Sequence, residues 1–157
     1  MFRLIATGLV GGAMYHDWRK RMALEEARSL AGEKGIINLG ADGHTQFSRE
    51  VANLSKVKVN VDIRPDGAKS LQANLEEAHL PFYDREFGVA FASHVLEHLE
   101  NWELALTEWN RVADWVIVVV PHPLSLTGRI HLDHKQFFGF EDKAEIETRW
   151  PRTKVFM

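Results

Sequence analysis

Six consecutive residues, Trp115-Val116-Ile117-Val118-Val119-Val120, are apolar without a break. A run this short and this rich in β-branched residues fits a strand covered on both faces, the situation of a central strand in a parallel sheet. Parallel neighbours need crossover connections, so helices must alternate with strands along the chain. The sequence carries that alternation. Ile36–Gly40, Val57–Ile63 (VKVNVDI), Ser70–Leu75 and Phe87–Ser93 (FGVAFAS) read as strands. Trp18–Ala31 reads as a helix with Ala23, Ala27, Leu30 and Ala31 on one stripe, closed by Gly32 and Gly35, with Lys34 placed to suit its negative end. Thr45 is positioned to cap a second helix with Phe47, Val51 and Leu54 inward. Asn101 is positioned to cap a third, with Trp102, Ala105, Leu106, Trp109 and Val112 on one face. Near the end, Ala144–Trp150 and Thr153–Met157 flank Pro151-Arg152 and read as the two strands of an antiparallel hairpin. The expected fold class is α/β: a mostly parallel sheet with flanking helices and a C-terminal antiparallel hairpin. With 157 residues there is room for one core, and the form is abbreviated.

The first residues stand apart. Leu4–Tyr15 (LIATGLVGGAMY) is apolar and glycine-rich, with Arg3 before it and Trp18-Arg19-Lys20-Arg21 after it. A membrane span needs roughly 18–20 apolar residues, more than this run offers. Two readings stand: a segment docked on the domain or on a partner, or a membrane-surface contact through residues 2–15 with basic flanks. The expected division is an N-terminal apolar segment and helix over 1–35 and the domain proper over 36–157. A net charge of −3 argues against general nucleic-acid binding, which calls for a basic surface. The chain has no cysteine, which excludes disulfides and thiolate metal sites and suits a cytoplasmic location.

In a parallel α/β sheet, ligands bind beyond the carboxyl ends of the strands, near the point where strand order reverses. The residues just after each strand are therefore the ones to question. Gly40–Thr45 (GADGHT) follows the first strand and opens a helix, where glycine permits close backbone approach to a ligand. Such a turn also occurs with no ligand at all. Asp62 closes the second strand, where a carboxylate can accept hydrogen bonds from both hydroxyls of a ribose; the plainer reading is an exposed turn residue beside Arg64.

A longer series is more specific. Asn74-Leu75-Glu76-Glu77, Leu80-Pro81-Phe82-Tyr83-Asp84, Phe87-Gly88-Val89, Ser93-His94-Val95-Leu96-Glu97-His98-Leu99, then Glu108 with Arg111-Val112 and the strand ending at Pro121, resembles the middle of class I S-adenosylmethionine-dependent methyltransferases. The likeness is greatest to the small, type-11, methionine-biosynthesis-like branch, and it runs from about Ile36 to Pro121. It implies a Rossmann-like, methyltransferase-like domain over 36–157 with S-adenosylmethionine as cofactor. By position, Gly40, Ala41 and Gly43 would pass its methionine part, Asp62 would hold the ribose, and Asn74 and Leu75 would flank the adenine. Ser93 and His94 would face the methyl group and the acceptor. His94 is the candidate general base, its alternative being a structural histidine that bonds the strand end. Glu97 and His98 read as residues that cap the next helix or pair with Arg111.

The glycine turn is degenerate. Asn38 stands at the family's acidic position, and Asp42 and His44 fall where glycines are usual. Only a short turn joins the second and third strands, so the usual helix between them is missing. The expected function is methyl transfer from S-adenosylmethionine to a small-molecule acceptor, with little chain after Pro121 for a lid and room for a protein partner that completes the site. The alternative is a non-catalytic methyltransferase-like subunit with a structural or regulatory role, docked or tethered through its N-terminal segment. A nicotinamide-dependent oxidoreductase would share the glycine turn and Asp62 but leaves the LPF and HVLEHL stretches unexplained. His122, His131 and His134, with Asp133 between the last two, follow the final parallel strand; their spacing matches no closed site, so no metal is expected there, and the alternative is that they line the acceptor pocket. The pair Phe137-Phe138 reads as core or as cover for the acceptor pocket.

Overall fold

A computed structural model describes residues 2–41, 44–64, 69–77, 79–124 and 134–157, of which 2–14 are described as backbone. The elements are α1 (Phe2–Leu30), β1 (Ile36–Leu39), α2 (Gln46–Ala52), β2 (Val57–Asp62), β3 (Ser70–Gln72), β4 (Phe87–Ser93), a 3-10 turn (Leu96–His98), α3 (Trp102–Val112), β5 (Ala113–Val119), α4 (Phe140–Arg149) and β6 (Thr153–Phe156). The strands form one six-stranded sheet in the order β3-β2-β1-β4-β5-β6, and each neighbouring pair is parallel. The parallel sheet expected from the alternation, and the Rossmann-like form implied by the resemblance, are the observed fold. Strand order reverses between β1 and β4.

The period of two along the strands explains how both faces are buried. Ile36, Val89, Phe91, Ile117 and Val119 face α1 and α2, packing with Ala23, Leu24, Ala27, Ala31 and Val51. Ile37, Leu39, Ala90, Ala92, Val116 and Val118 face the other way, onto Ala105, Leu106, Trp109 and Val112 of α3 and Ile146 of α4. The small residues on one stripe of α1 let its last turns lie directly on the sheet. At Gly88 a Cβ would fall 2.0 Å from the carbonyl oxygen of Ala31, so only glycine admits this contact. Gly32 and Gly35, at φ 55° and 76°, turn the chain out of α1 as expected. Lys34 does not cover the helix end; its Nζ donates to Asp114 Oδ2 at 2.6 Å and to the carbonyl of Arg85 at 3.0 Å.

Thr45 caps α2 in a reciprocal capping box with Ser48. Asn101 precedes α3 but makes no side-chain cap bond. The carboxylate of Glu76 serves that end instead, accepting the N–H groups of Glu100 and Asn101. Leu4–Tyr15 is continuous with the helix expected from Trp18, so α1 is one 29-residue helix. Among the described residues no helix is long and apolar enough to cross a membrane.

The C-terminal hairpin is not formed. Residues 140–149 are the helix α4, and β6 joins the sheet parallel to β5. The alternation Ala144-Glu-Ile-Glu-Thr-Arg-Trp150 imitates a strand, but glutamate and lysine favour a helix. Asp142 accepts the Gly139 N–H at 2.6 Å, and Glu141 and Asp142 complement the positive helix end. Ile146 and Trp150, four residues apart, then bury on one face. Pro151 stops the helix and releases the chain into β6.

Candidate active site

The switch point between β1 and β4 gathers the chemistry-bearing residues at the carboxyl edge of the sheet. Gly40 follows β1 at φ 74°, and its N–H donates to Val61 O at 2.8 Å. A Cβ there would lie 2.2 Å from Val95 Cγ2. Glycine is thus required twice, by the left-handed backbone and by the space. Ala41 is buried against the same strand end. Gly43 lies outside the described residues. Asn38 donates to Asn60 Oδ1 at 2.8 Å, and Asn60 in turn donates to the carbonyl of Ala52. The amide at the family's acidic position therefore ties β1, β2 and α2 together.

Ser93 ends β4, and His94 follows in the left-handed region at φ 58°, its N–H bonded to Val119 O at 2.8 Å. That backbone turns the imidazole to Glu97, whose Oε1 is 2.9 Å from His94 Nδ1. Nε2 of His94 is buried and has no hydrogen-bond partner. Gly40, Ser93 and His94 line one cavity of about 180 Å³, with Asn38, Phe91, Thr45 and Ser48. Leu39, Phe47 and Val51 also line it, and α1 adds His16 and Lys20, one turn apart on one face.

His16 and Lys20 were not visible as site residues in the sequence, because only the packing of α1 brings them there. The His16 ring stands 4.8 Å from that of His94, centroid to centroid, at 63°. Its Nδ1 accepts from Arg19 Nη2 at 3.2 Å, while Arg19 Nη1 reaches the carbonyl of Val120 at 3.4 Å. Burial, then the charge of Lys20 and the nearness of His94 and Arg19, bring the His16 pKa down from 6.5 to about 4. The ring is neutral at neutral pH, which agrees with Nδ1 acting as acceptor. Burial likewise lowers the pKa of Lys20.

The other expected cofactor residues sit along the same edge but not in this cavity. Asp62 closes β2 beside Gly40, and its Oδ1 accepts the Arg64 N–H at 2.7 Å. Among the described residues Oδ2 accepts none. Asn74, exposed after β3, accepts the Glu76 N–H at 3.1 Å, and Leu75 points into the core. Glu97 does not pair with Arg111. Arg111 instead binds Glu108 through Nε and Nη2, at 2.9 and 2.6 Å, and also Asp84 and the carbonyls of Leu80 and Phe82. Glu108 further accepts the Leu80 N–H at 2.7 Å. The LPFYD and Glu108-Arg111 pieces of the sequence pattern are thus one hydrogen-bonded clamp. His122 contacts Tyr15 and Phe140, whereas His134 packs on His98. His131 lies outside the described residues. Phe138 is core and Phe137 is 61% exposed.

A parallel sheet whose strand order reverses at a glycine turn is the architecture in which α/β domains bind ligands beyond the strand ends. Residues 23–114 match the family model described as "Methyltransferase domain", and the chain belongs to that family of S-adenosylmethionine-dependent methyltransferases. No curated protein matches the chain. Among solved structures, it is similar to an S-adenosylmethionine-dependent methyltransferase of Thermotoga maritima described as a possible histamine N-methyltransferase. That likeness has a TM-score of 0.60 and 18% identity, covering 94% of this chain and 78% of the other. It is also similar to a chain from the complex between the Haloferax volcanii Trm112 methyltransferase activator and a candidate methyltransferase. There the TM-score is 0.59 and the identity 14%, over 93% of this chain and 72% of that one. At these identities the structural likeness shows the fold.

Proposed function

We propose that this chain binds S-adenosylmethionine at the β1/β4 switch point and transfers its methyl group to a small-molecule acceptor that approaches His94. The observation that carries the proposal is the convergence of Gly40, Ser93 and His94 on one cavity, with Asp62 at the neighbouring strand end. The residues suit the group. Gly40, in the left-handed region, turns the backbone at the end of β1, and Asp62 keeps one carboxylate oxygen for a ribose hydroxyl. Gly43, Asn74 and Leu75 complete the proposed cofactor contacts, Leu75 through its backbone because its side chain is core.

When bound, S-adenosylmethionine supplies a methyl group already activated by its sulfonium. The chain then has to align the acceptor, keep water out and take a proton where the acceptor carries one. His94 is placed for that last task. Its Nδ1 is held by Glu97, which fixes the ring, and the unpartnered Nε2 is the proposed accepting atom. Neutral His16 packs on His94 without adding a charge. A protein partner that completes the acceptor side is part of this reading; the Haloferax neighbour comes from a complex with a methyltransferase activator.

Calorimetric titration of the full chain with S-adenosylmethionine and with its demethylated product tests the proposal, alongside Asp62→Ala. Micromolar binding is expected, weakened by roughly 1–3 kcal/mol in the variant through loss of a charge-assisted hydrogen bond. No binding of either ligand at millimolar concentration would refute it, and the non-catalytic subunit would become the better reading.

A further inference from the structure

The HVLEHL stretch holds more than His94. Glu97 lies in the 3-10 turn after β4 and is 1% exposed. Its Oε1 takes His94 Nδ1, whereas its Oε2 is buried with no hydrogen-bond partner. A buried carboxylate oxygen left unpartnered is costly, and a cation is the usual remedy. Two imidazoles stand beside the same carboxylate. One carboxylate oxygen of Glu97, one ring nitrogen of His98 and one of His134 all lie within 4.8 Å of one another. The rings of His98 and His134 meet at 4.8 Å and 77°.

The arrangement is built across the fold. The main-chain carbonyl of Glu97 accepts two N–H groups, from Lys135 at 2.9 Å and Gln136 at 3.0 Å. This clips the segment after residue 133 onto the turn, so that His134, 36 positions beyond His98, is set against it. Lys135 Nζ binds Glu100 at 2.8 Å, and among the described residues no lysine or arginine lies within ion-pair distance of Glu97, although the charge of Lys20 acts on it.

We infer that Glu97, His98 and His134 hold a divalent transition-metal ion. Two imidazoles and one carboxylate are the donor set of zinc and its neighbours, with zinc bonds of about 2.0–2.2 Å. Tetrahedral donors at such a distance are about 3.4 Å apart, so the three groups close by roughly an ångström on binding. Both histidines are only half-buried and can rotate that far. Three protein ligands leave at least one position open for water or for an acceptor heteroatom. Because Glu97 also holds His94, the ion would lie one residue away from the proposed acceptor side. A plain packing role for the histidines explains the ring contact but not the orphan oxygen.

The test uses the full chain after treatment with chelator, titrated with Co²⁺ and followed by its visible ligand-field bands, then with Zn²⁺ in competition. One equivalent of Co²⁺, displaced by Zn²⁺, is expected, and His98→Ala and His134→Ala should each weaken binding by more than about 10-fold, the least that loss of even an outer-shell partner costs. Circular dichroism shows whether each variant is folded. Should both fail to fold, the rise in unfolding temperature of the unaltered chain with Zn²⁺ gives the answer, since an ion that binds the native state stabilises it by mass action. No binding below millimolar metal, or equal binding by folded variants, would overturn the inference. Titration with S-adenosylmethionine is a separate readout, so failure of the metal site leaves the cofactor proposal standing.

Discussion

Replacing Gly40 with alanine separates two demands made on one residue. The first is backbone conformation: φ of 74° costs an alanine about 1 kcal/mol. The second is space, because the added Cβ would stand 2.2 Å from Val95 Cγ2, while Val95 Cβ and Cγ1 are at 3.4 Å. Val95 is 8% exposed and packed in the core, so its methyl cannot swing away freely, and overpacking of this kind costs roughly 1–3 kcal/mol. The sum is about 3 kcal/mol, a fall in unfolding temperature of about 6–12 °C for a chain of this length. Val95→Ala removes the offending methyl and leaves only ordinary contact. In that background Gly40→Ala should cost about 1 kcal/mol, a coupling of about 2 kcal/mol between adjacent sites. Urea unfolding of the four proteins measures the cycle. An equal cost of Gly40→Ala in both backgrounds would refute the steric part of the reasoning.

Two further perturbations probe the surrounding network. Burial pushes the Glu108 carboxyl up, but hydrogen bonds from Arg111 and the Leu80 N–H outweigh it and hold the pKa below 4.5. A depressed acid stabilises the fold above its unfolded pKa and loses that contribution as pH falls through the folded value, so the effect declines below about pH 4.5 and is gone only below the lower folded value. Glu108→Ala should therefore cost roughly 2–3 kcal/mol at pH 7, short of a fully buried pair because Arg111 keeps Asp84, and should flatten the acid limb of the stability curve seen by urea unfolding. His16 has the same sign for a different reason. With a native pKa of about 4 against 6.5 unfolded, the unfolded chain binds more protons between these values, so stability falls as pH drops through that window. His16→Gln should remove that slope, and urea midpoints for both proteins at pH 7 and pH 5 that shift equally would contradict the assignment.

What the sequence made legible follows from range. The strands were readable because burial on two faces leaves an apolar run, and β4 was readable to the residue, Phe87–Ser93. Thr45 could be read as a cap because its partner Ser48 is three residues away. α4 was misread because Ala144, Ile146 and Trp150 satisfy both a period of two and, for the last two, a period of four; the glutamates between them were the missed signal. The Glu97–His94 bond was within reach as a three-residue spacing, but nothing local says that Glu97 is buried. Glu108 with Arg111 could be seen as a pair, yet its hold on Leu80 and Phe82 exists only after α3 packs beside that loop.

The larger omission, His16 and Lys20, changes how the site is understood. The segment that drew attention by its apolar N-terminal half contributes to the cavity through its middle, where a lysine and a neutral imidazole reach it one turn apart. Their settings differ in consequence. Burial eases the ammonium of Lys20 toward its neutral form, so an anionic group in the cavity would favour its charged state. His16, kept neutral by its own burial and then by Lys20, His94 and Arg19, adds no positive charge to the cavity. Arg19 is buried at 4% exposure and ties α1 to the end of β5 through the carbonyl of Val120. The helix thus has an apolar stripe that holds it to the sheet, an arginine that fixes its position at the strand ends, and two side chains that set the charge of the cavity. A substitution that loosens α1, such as enlarging Ala27 or Ala31, would alter the site without touching any residue that the family pattern names.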